Sequence, residues 1–113
     1  MELDIAAACL AALGHETRLS IYRLLIQTGP DGLAAGKLAE LTGLPPSSLS
    51  FHLKALSNVE LVDAQQNGRF VIYSAHYETM NAMLAYLTDN CCGGSPCTPD
   101  ACATPKTAGK SRR

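Results

Sequence analysis

The chain has 113 residues, 47% of them hydrophobic and 17% charged, with no Trp and a formal net charge of −1. That length fits one compact domain, and the longest apolar runs fall far short of the roughly 20 residues that span a bilayer. Residues 1–90 carry five basic against nine acidic side chains, and residues 91–113 four basic against one acidic. A basic field over the whole domain, the usual footprint of a nucleic-acid binder, is therefore excluded, and any DNA contact must be local.

The opening MELDIAAACL has two acids and no base, which is not the pattern of a secretory signal. Five cysteines without an export signal are expected as reduced thiols or metal ligands, not as a disulfide framework. The expected location is cytoplasmic, with no membrane partner.

Leu3, Ala6, Leu10 and Leu13 recur at helical spacing and predict a first helix with one apolar face, ended by Gly14. A second helix opens at His15-Glu16-Thr17 and runs to about Ile26. Its wide apolar set (Leu19, Ile21, Tyr22, Leu24, Leu25, Ile26) marks it as central and mostly buried. Thr28-Gly29-Pro30-Asp31-Gly32 is a loop by its turn chemistry. A short helix near Ala34–Leu41 is expected to bury Leu38 and Leu41, and Gly43 supplies a tight turn at positive φ. Pro45 and Pro46 suit the first turn of the next helix, which places Leu49, Leu53 and Leu56 on one inner face. Helix, short glycine turn, helix is the helix-turn-helix pattern.

From Leu61 the period changes to two. Leu61–Gln66 and Arg69–Ser74 flank Asn67-Gly68, a strong hairpin signal. A last helix is expected over about His76–Asn90, striped by Met80, Met83, Leu84 and Leu87. The order predicts a mainly α fold with a β-hairpin wing: a winged helix-turn-helix, α-α-α-α-β-β-α. The narrow apolar stripes on the first and last helices are best buried by a second copy, which predicts a homodimer through those helices. Residues 1–90 form the expected DNA-binding and dimerisation domain. Residues 91–113, rich in Gly, Pro, Ser, Thr and Cys, form the expected Cys-rich segment and flexible basic tail.

Two segments are diagnostic in combination. Leu13-Gly14-His15-Glu16-Thr17-Arg18-Leu19 leads into Tyr22-Arg23-Leu24-Leu25, and Ser47-Ser48-Leu49-Ser50-Phe51-His52-Leu53-Lys54-Ala55-Leu56 follows. From about Ala11 to Leu87 the chain resembles the ArsR-type family of winged-helix metalloregulatory repressors. That resemblance implies a homodimer that represses by covering double-stranded operator DNA and leaves when its inducer binds. Some arsenic-sensing members carry a Cys-Val-Cys segment before the reading helix, where this chain has Leu33-Ala34-Ala35-Gly36-Lys37. Zinc-sensing members use Asp and His pairs on the last helix, where His76 here stands alone. Cys91-Cys92 followed by Cys97 instead resembles the arsenic-responsive branch whose three thiols lie in the C-terminal segment.

The chemistry of that trio suits trivalent arsenic, and antimonite is a second candidate inducer. Thiolate sulfur selects soft ions, and the lone pair of As(III) leaves three bonding directions. Gly93-Gly94-Ser95-Pro96 allows Cys97 to fold back, with glycines for close approach and Pro96 limiting the closure entropy. Arsenous acid and three thiols give a neutral product, whereas zinc with three or four thiolates leaves negative charge at a helix C-terminus that already disfavours anions. No Lys or Arg lies between Arg69 and Lys106 to offset that charge. Zinc or cadmium through Cys91, Cys92, Cys97 and Cys102 is the competing reading, as four thiolates match a tetrahedral site. Cys102 is also an alternative third arsenic ligand, through a longer closure. A thiol-redox switch pairing Cys97 or Cys102 with one of the vicinal pair is a third. Cys9 reads as a small buried hydrophobe. No base beside an activated thiol is recognisable, so no enzyme is expected.

On the reading helix, Ser47, Ser48, Ser50, His52 and Lys54 fall away from the leucine face, and Arg69 lies at the wing. Hydroxyls and cations there reach phosphates or base edges. The serines have an alternative role as helix caps, His52 as a polar packing residue, and Phe51 has two placements, under the helix or against a thymine methyl.

Overall fold

In the computed structural model, residues 1–94 are described. Helix α1 spans Leu3–Leu13, α2 Glu16–Thr28, α3 Ala35–Thr42, α4 Pro46–Asn58 and α5 Tyr77–Leu87. Strands β1 (Leu33–Ala34), β2 (Val62–Asn67) and β3 (Phe70–Ala75) form one antiparallel sheet in the order β1-β3-β2. A 3₁₀ turn follows at Cys91–Gly94. This is the expected winged helix-turn-helix, with one strand more than the sequence pattern announced.

The added strand has only two residues, pairing Leu33 with Tyr73 and Ala34 with Ile72. Two residues show no period, so their alternation is unreadable in the sequence. What makes the pairing possible is Gly32, at φ 72°: a side chain there would run into the Tyr73 carbonyl. The wing closes one residue later than expected. Asn67 pairs with Phe70, and Gly68, at φ 63°, takes the first central position of the turn with Arg69 beside it at the tip. Gln66 Nε2 donates to the Gly68 carbonyl at 2.8 Å across that tip.

The helix-turn-helix is built as its residues dictate. Gly43 closes α3 in the left-handed region at φ 74°, its N–H returning to Ala39 O. Pro45 sits at the N-cap of α4 and Pro46 at its first helical position, where a missing N–H costs nothing. Leu49, Leu53 and Leu56 are buried, and they meet Ile21, Tyr22 and Leu25 of α2, Leu38 of α3 and Leu61 in one core. Leu41 does not join them. It is 51% exposed, because an eight-residue helix turns only one narrow stripe, centred on Leu38, toward α2 and α4.

The terminal helices leave their large apolar side chains uncovered, on the stripes where the sequence pattern expects a second copy to sit. On α1 the buried positions are Ala6, Cys9 and Ala12, while Leu3 is 71% exposed and Ile5 and Leu10 are also exposed. Small residues let α1 lie close on the core, and its large apolar side chains point outward. Helix α5 likewise buries only Met83 and leaves Leu84 and Leu87 about half exposed. It stops at Leu87, three residues short of the expected end, where the Thr88 hydroxyl bonds back to the Leu84 carbonyl at 2.9 Å.

Tyr22 is the core's one irregular member. Its hydroxyl is buried without a hydrogen-bond partner among the described residues, and burial, with Tyr77 and Cys9 nearby, pushes its pKa up to about 12. An unpaired buried hydroxyl costs about 1–3 kcal/mol. Tyr22→Phe is therefore expected to leave urea stability unchanged or raise it by up to about 1 kcal/mol. Leu53→Ala is expected to lower it by about 2–5 kcal/mol. A clear loss in Tyr22→Phe would show that the hydroxyl has a partner after all.

Candidate nucleic-acid interface and thiol cluster

Ser47, Phe51 and Lys54 recur at i, i+4 and i+7 and line the outer side of α4. Ser47, Ser50 and Lys54 are exposed, and Ser48 is half-buried. The N-terminus of α4 carries no side-chain cap, which removes capping as the role of its serines. Phe51 is 65% exposed and so does not pack beneath the helix. Arg69 stands exposed at the wing tip.

His52 is half-buried, between the outer stripe and the leucine face. Its Nδ1 accepts a hydrogen bond from Arg18 Nε at 3.2 Å. The His15 ring lies 4.9 Å away, centroid to centroid, tilted by 46°. His15 in turn caps α2, its Nδ1 accepting from the Thr17 N–H at 3.2 Å. Burial, followed by the neighbouring His15 and Arg18, holds the His52 pKa below the ordinary histidine value. Its ring is therefore neutral at pH 7, leaving Nδ1 a lone pair for Arg18. Arg18 also lies over the Phe51 ring, with Cζ 5.7 Å from the centroid, within cation–π range. Sequence reasoning missed the contact between Arg18 and His52, since the two lie 34 residues apart on different helices. The signal available was the place of Arg18 in the His15-Glu16-Thr17-Arg18 opening of a helix that had to pack against α4.

Beyond the last helix, Cys91 follows α5 by four residues and begins the 3₁₀ turn. Asn90 and Cys92 both adopt positive φ, 56° and 59°, a conformation uncommon outside glycine. The reversal sets the Cys91 and Cys92 sulfurs 3.5 Å apart, close yet unbonded. The hydrogen bond between the two thiols is the first cause raising the Cys91 pKa above its ordinary value, with burial and the Cys92 charge adding. Cys97 and Cys102 lie outside the described residues. Among the described residues no three His, Cys, Asp or Glu side chains gather as a metal site, and His76 is engaged by the Thr79 hydroxyl at 2.6 Å. Cys9 is fully buried, as expected, and its thiol donates to the Val59 carbonyl at 3.6 Å. Burial raises its pKa first, and Glu60 adds to the rise.

A three-helix core carrying a polar reading helix, with a hairpin beside it, defines a winged helix-turn-helix DNA-binding protein. The comparisons agree. The helix-turn-helix domain family HTH_20 matches residues 13–64. The chain is 38% identical over 87 residues to the HTH-type transcriptional regulator YgaV of Escherichia coli, covering 77% of this chain and 86% of that one. Among solved structures, an ArsR-like transcriptional regulator from Rhodococcus sp. RHA1 superposes with a TM-score of 0.66 at 30% identity, over 74% of this chain and 76% of that one. The homodimeric winged helix-turn-helix domain Mb0332 from Mycobacterium bovis gives a TM-score of 0.62 at 27% identity, over 85% and 89%. The chain belongs to the ArsR-like winged helix-turn-helix family of transcriptional regulators. Its relatives are DNA-binding regulators, not enzymes. No helix among the described residues is long and apolar enough to cross a membrane.

The burial pattern makes the thiols distinguishable. Mass mapping after brief iodoacetamide treatment at neutral pH is expected to find label on Cys92 and none on Cys9 until the protein is unfolded. Early label on Cys9 would contradict its place in the core.

Proposed function

We propose that this chain is a homodimeric repressor that binds operator DNA and releases it when trivalent arsenic binds the thiols of Cys91, Cys92 and Cys97. The observation that carries the reading is the pair of sulfurs 3.5 Å apart just beyond α5. A pyramidal As(III) centre needs three convergent thiols, and the turn at Cys92 already supplies two. On this reading residues 1–90 bind DNA and dimerise, and residues 91–113 hold the inducer. Antimonite, with the same valence and softness, binds the same trio.

The dimer is supported by the outward Leu3, Ile5 and Leu10 of α1 and Leu84 and Leu87 of α5. It is supported as well by the homodimeric state of the Mycobacterium bovis relative. Two copies of α4 then read two half-sites about one helical turn of DNA apart. Ser47, Ser48, Ser50 and Lys54 reach phosphates or base edges, and Arg69 of the wing reaches the backbone or minor groove.

The reaction balances without charge. Each As–O bond of arsenous acid breaks as an As–S bond forms, and the thiol proton leaves with the hydroxide as water. Three thiols therefore yield a neutral tris-thiolate and three waters. The raised pKa of Cys91 is compatible with this, because the reactant is the protonated thiol. Zinc would have to displace those protons and leave thiolate charge in a stretch of sequence with no Lys or Arg between Arg69 and Lys106.

Two measurements test the reading. Cys91→Ser, Cys92→Ser and Cys97→Ser are each expected to bind operator as the parent does and to lose arsenite-induced release. The parent's release is expected at about 5–150-fold, the usual range of such coupling. A variant that still dissociates with arsenite removes that cysteine from the site. Proton linkage separates the ions: arsenite affinity is expected to stay nearly flat between about pH 6 and pH 8, because exchange of hydroxide for thiol neither takes up nor releases protons, while zinc affinity rises with pH as protons are displaced. Arsenite affinity that climbs with pH would refute the neutral-product chemistry.

A further inference from the structure

We infer that Arg18 is a DNA-phosphate contact of this protein, and that His52 acts by holding and aiming it and does not itself read a base. The inference rests on α4 being the DNA-reading helix, and it changes the division of labour on that surface.

Three observations lead there. First, cations are scarce. The described part of the chain has five Lys or Arg, and Lys37 is engaged by Glu40 at 3.2 Å. Phosphate affinity comes from cations that neutralise backbone charge, so in an acidic domain each cation bordering the reading helix matters. Second, Arg18 is half-buried yet has no carboxylate partner among the described residues. A half-buried guanidinium without an anion is an unusual expense, and it is explained if a phosphate completes the site. Third, the guanidinium is held from two sides. Its Nε donates to His52 Nδ1 at 3.2 Å, and its plane carbon lies 5.7 Å from the Phe51 ring centre. Only Nε is engaged in a hydrogen bond among the described residues, which leaves both terminal nitrogens free to donate. Those are the two groups that grip a phosphate in fork geometry.

The clamp is itself braced. His15 caps α2 through Thr17 and lies against the His52 ring, so the start of α2 and the middle of α4 are locked where Arg18 emerges. Phe51 shares the exposed stripe with Ser47 and Lys54, which places the guanidinium at the border of the surface that faces DNA. An aromatic exposed to this degree has a role here: it is the floor on which Arg18 lies.

The test uses the full-length protein with two 30-bp probes, a duplex from upstream of its own gene and a duplex of random sequence, titrated at several salt concentrations. Arg18→Ala is expected to weaken both duplexes on the order of tenfold, and to flatten the slope of log K against log salt by about 0.9 per protomer. A sequence-independent loss of this kind is the mark of a phosphate contact. His52→Ala is expected to reproduce most of that loss, and His52→Asn, whose Oδ1 lies near the place of Nδ1, to restore most of it. In the Arg18→Ala background His52→Ala should then cost nothing further, which no merely structural effect would produce. Thermal melts of each variant confirm that the fold is intact. Lys54→Ala serves as the control for the reading helix itself. If Lys54→Ala weakens binding and Arg18→Ala leaves affinity and salt slope unchanged, the Arg18 inference fails while the α4 assignment stands. If both are silent, the α4 assignment fails. Additive losses for Arg18→Ala and His52→Ala, or a loss in His52→Ala confined to the gene-derived duplex, would make His52 a reader in its own right and overturn the positioning role.

Discussion

The seating of one leucine face decides the rest of this molecule. Leu49, Leu53 and Leu56 of α4 are buried against Ile21, Tyr22 and Leu25 of α2, and each such side chain contributes about 1.5–3 kcal/mol on leaving water. A helix anchored on that stripe has no rotational freedom left. Its serines, Phe51 and Lys54 must point outward together, and His52, one position from the buried Leu53, must come to lie at the edge of α2. The DNA-facing surface is thus a by-product of core packing, fixed by apolar residues that never meet DNA.

That geometry matters because bulk electrostatics oppose the function. The residues before the C-terminal segment are net acidic, so long-range attraction does little to hold DNA and short-range contacts carry the affinity. Helix α2 has two tasks in consequence. Its buried face supplies the platform for α4, and its first turn, capped by His15, delivers a guanidinium beside the reading helix. At its far end the Ile26 carbonyl accepts a hydrogen bond from the Tyr77 hydroxyl of α5 at 3.3 Å. One 13-residue helix, about 20 Å long at 1.5 Å per residue, touches both the reading helix and the helix that ends near the thiols.

Much of this was legible in the residue pattern. Periodicity marked every helix, and Gly43, Pro46 and the Asn67-Gly68 pair placed the turns to within a residue. The buried positions of α4 were all foreseen. Spacing identifies an apolar face but does not say what covers it. In α1 the large residues Leu3 and Leu10 matched the helical period as well as Ala6, Cys9 and Ala12 do. The small set won because close approach to the core rewards small side chains, and the large set was left for a second surface. Leu41 was misplaced for a related reason, since a helix of two turns buries little beyond its central contact. Strand β1 was invisible because two residues carry no alternation, and its cause, a close approach at Gly32, lies 41 positions from the Tyr73 it meets. Arg18 escaped for the same reason of distance: its partner His52 is 34 residues away.

The thiol pair shows the converse, a local feature whose meaning lies in its surroundings. Adjacent cysteines in an extended or helical segment project apart, and their sulfurs come to 3.5 Å with Cys92 in the left-handed backbone region. Cys92 adopts that conformation at a cost of about 1 kcal/mol or more. A ligand that grips the pair meets a turn already made, so less ordering is left for binding to supply. On the proposed reading the arsenic atom therefore has little left to order except the arm that brings Cys97. Helix α5 enters the core only at Met83 and turns Leu84 and Leu87 outward. A constraint fastened just beyond it then falls on the surface that would face a second copy and leaves the leucine platform undisturbed. On that reading an inducer acting there would change how two reading helices are spaced without having to unfold either one, which is what reversible repression requires.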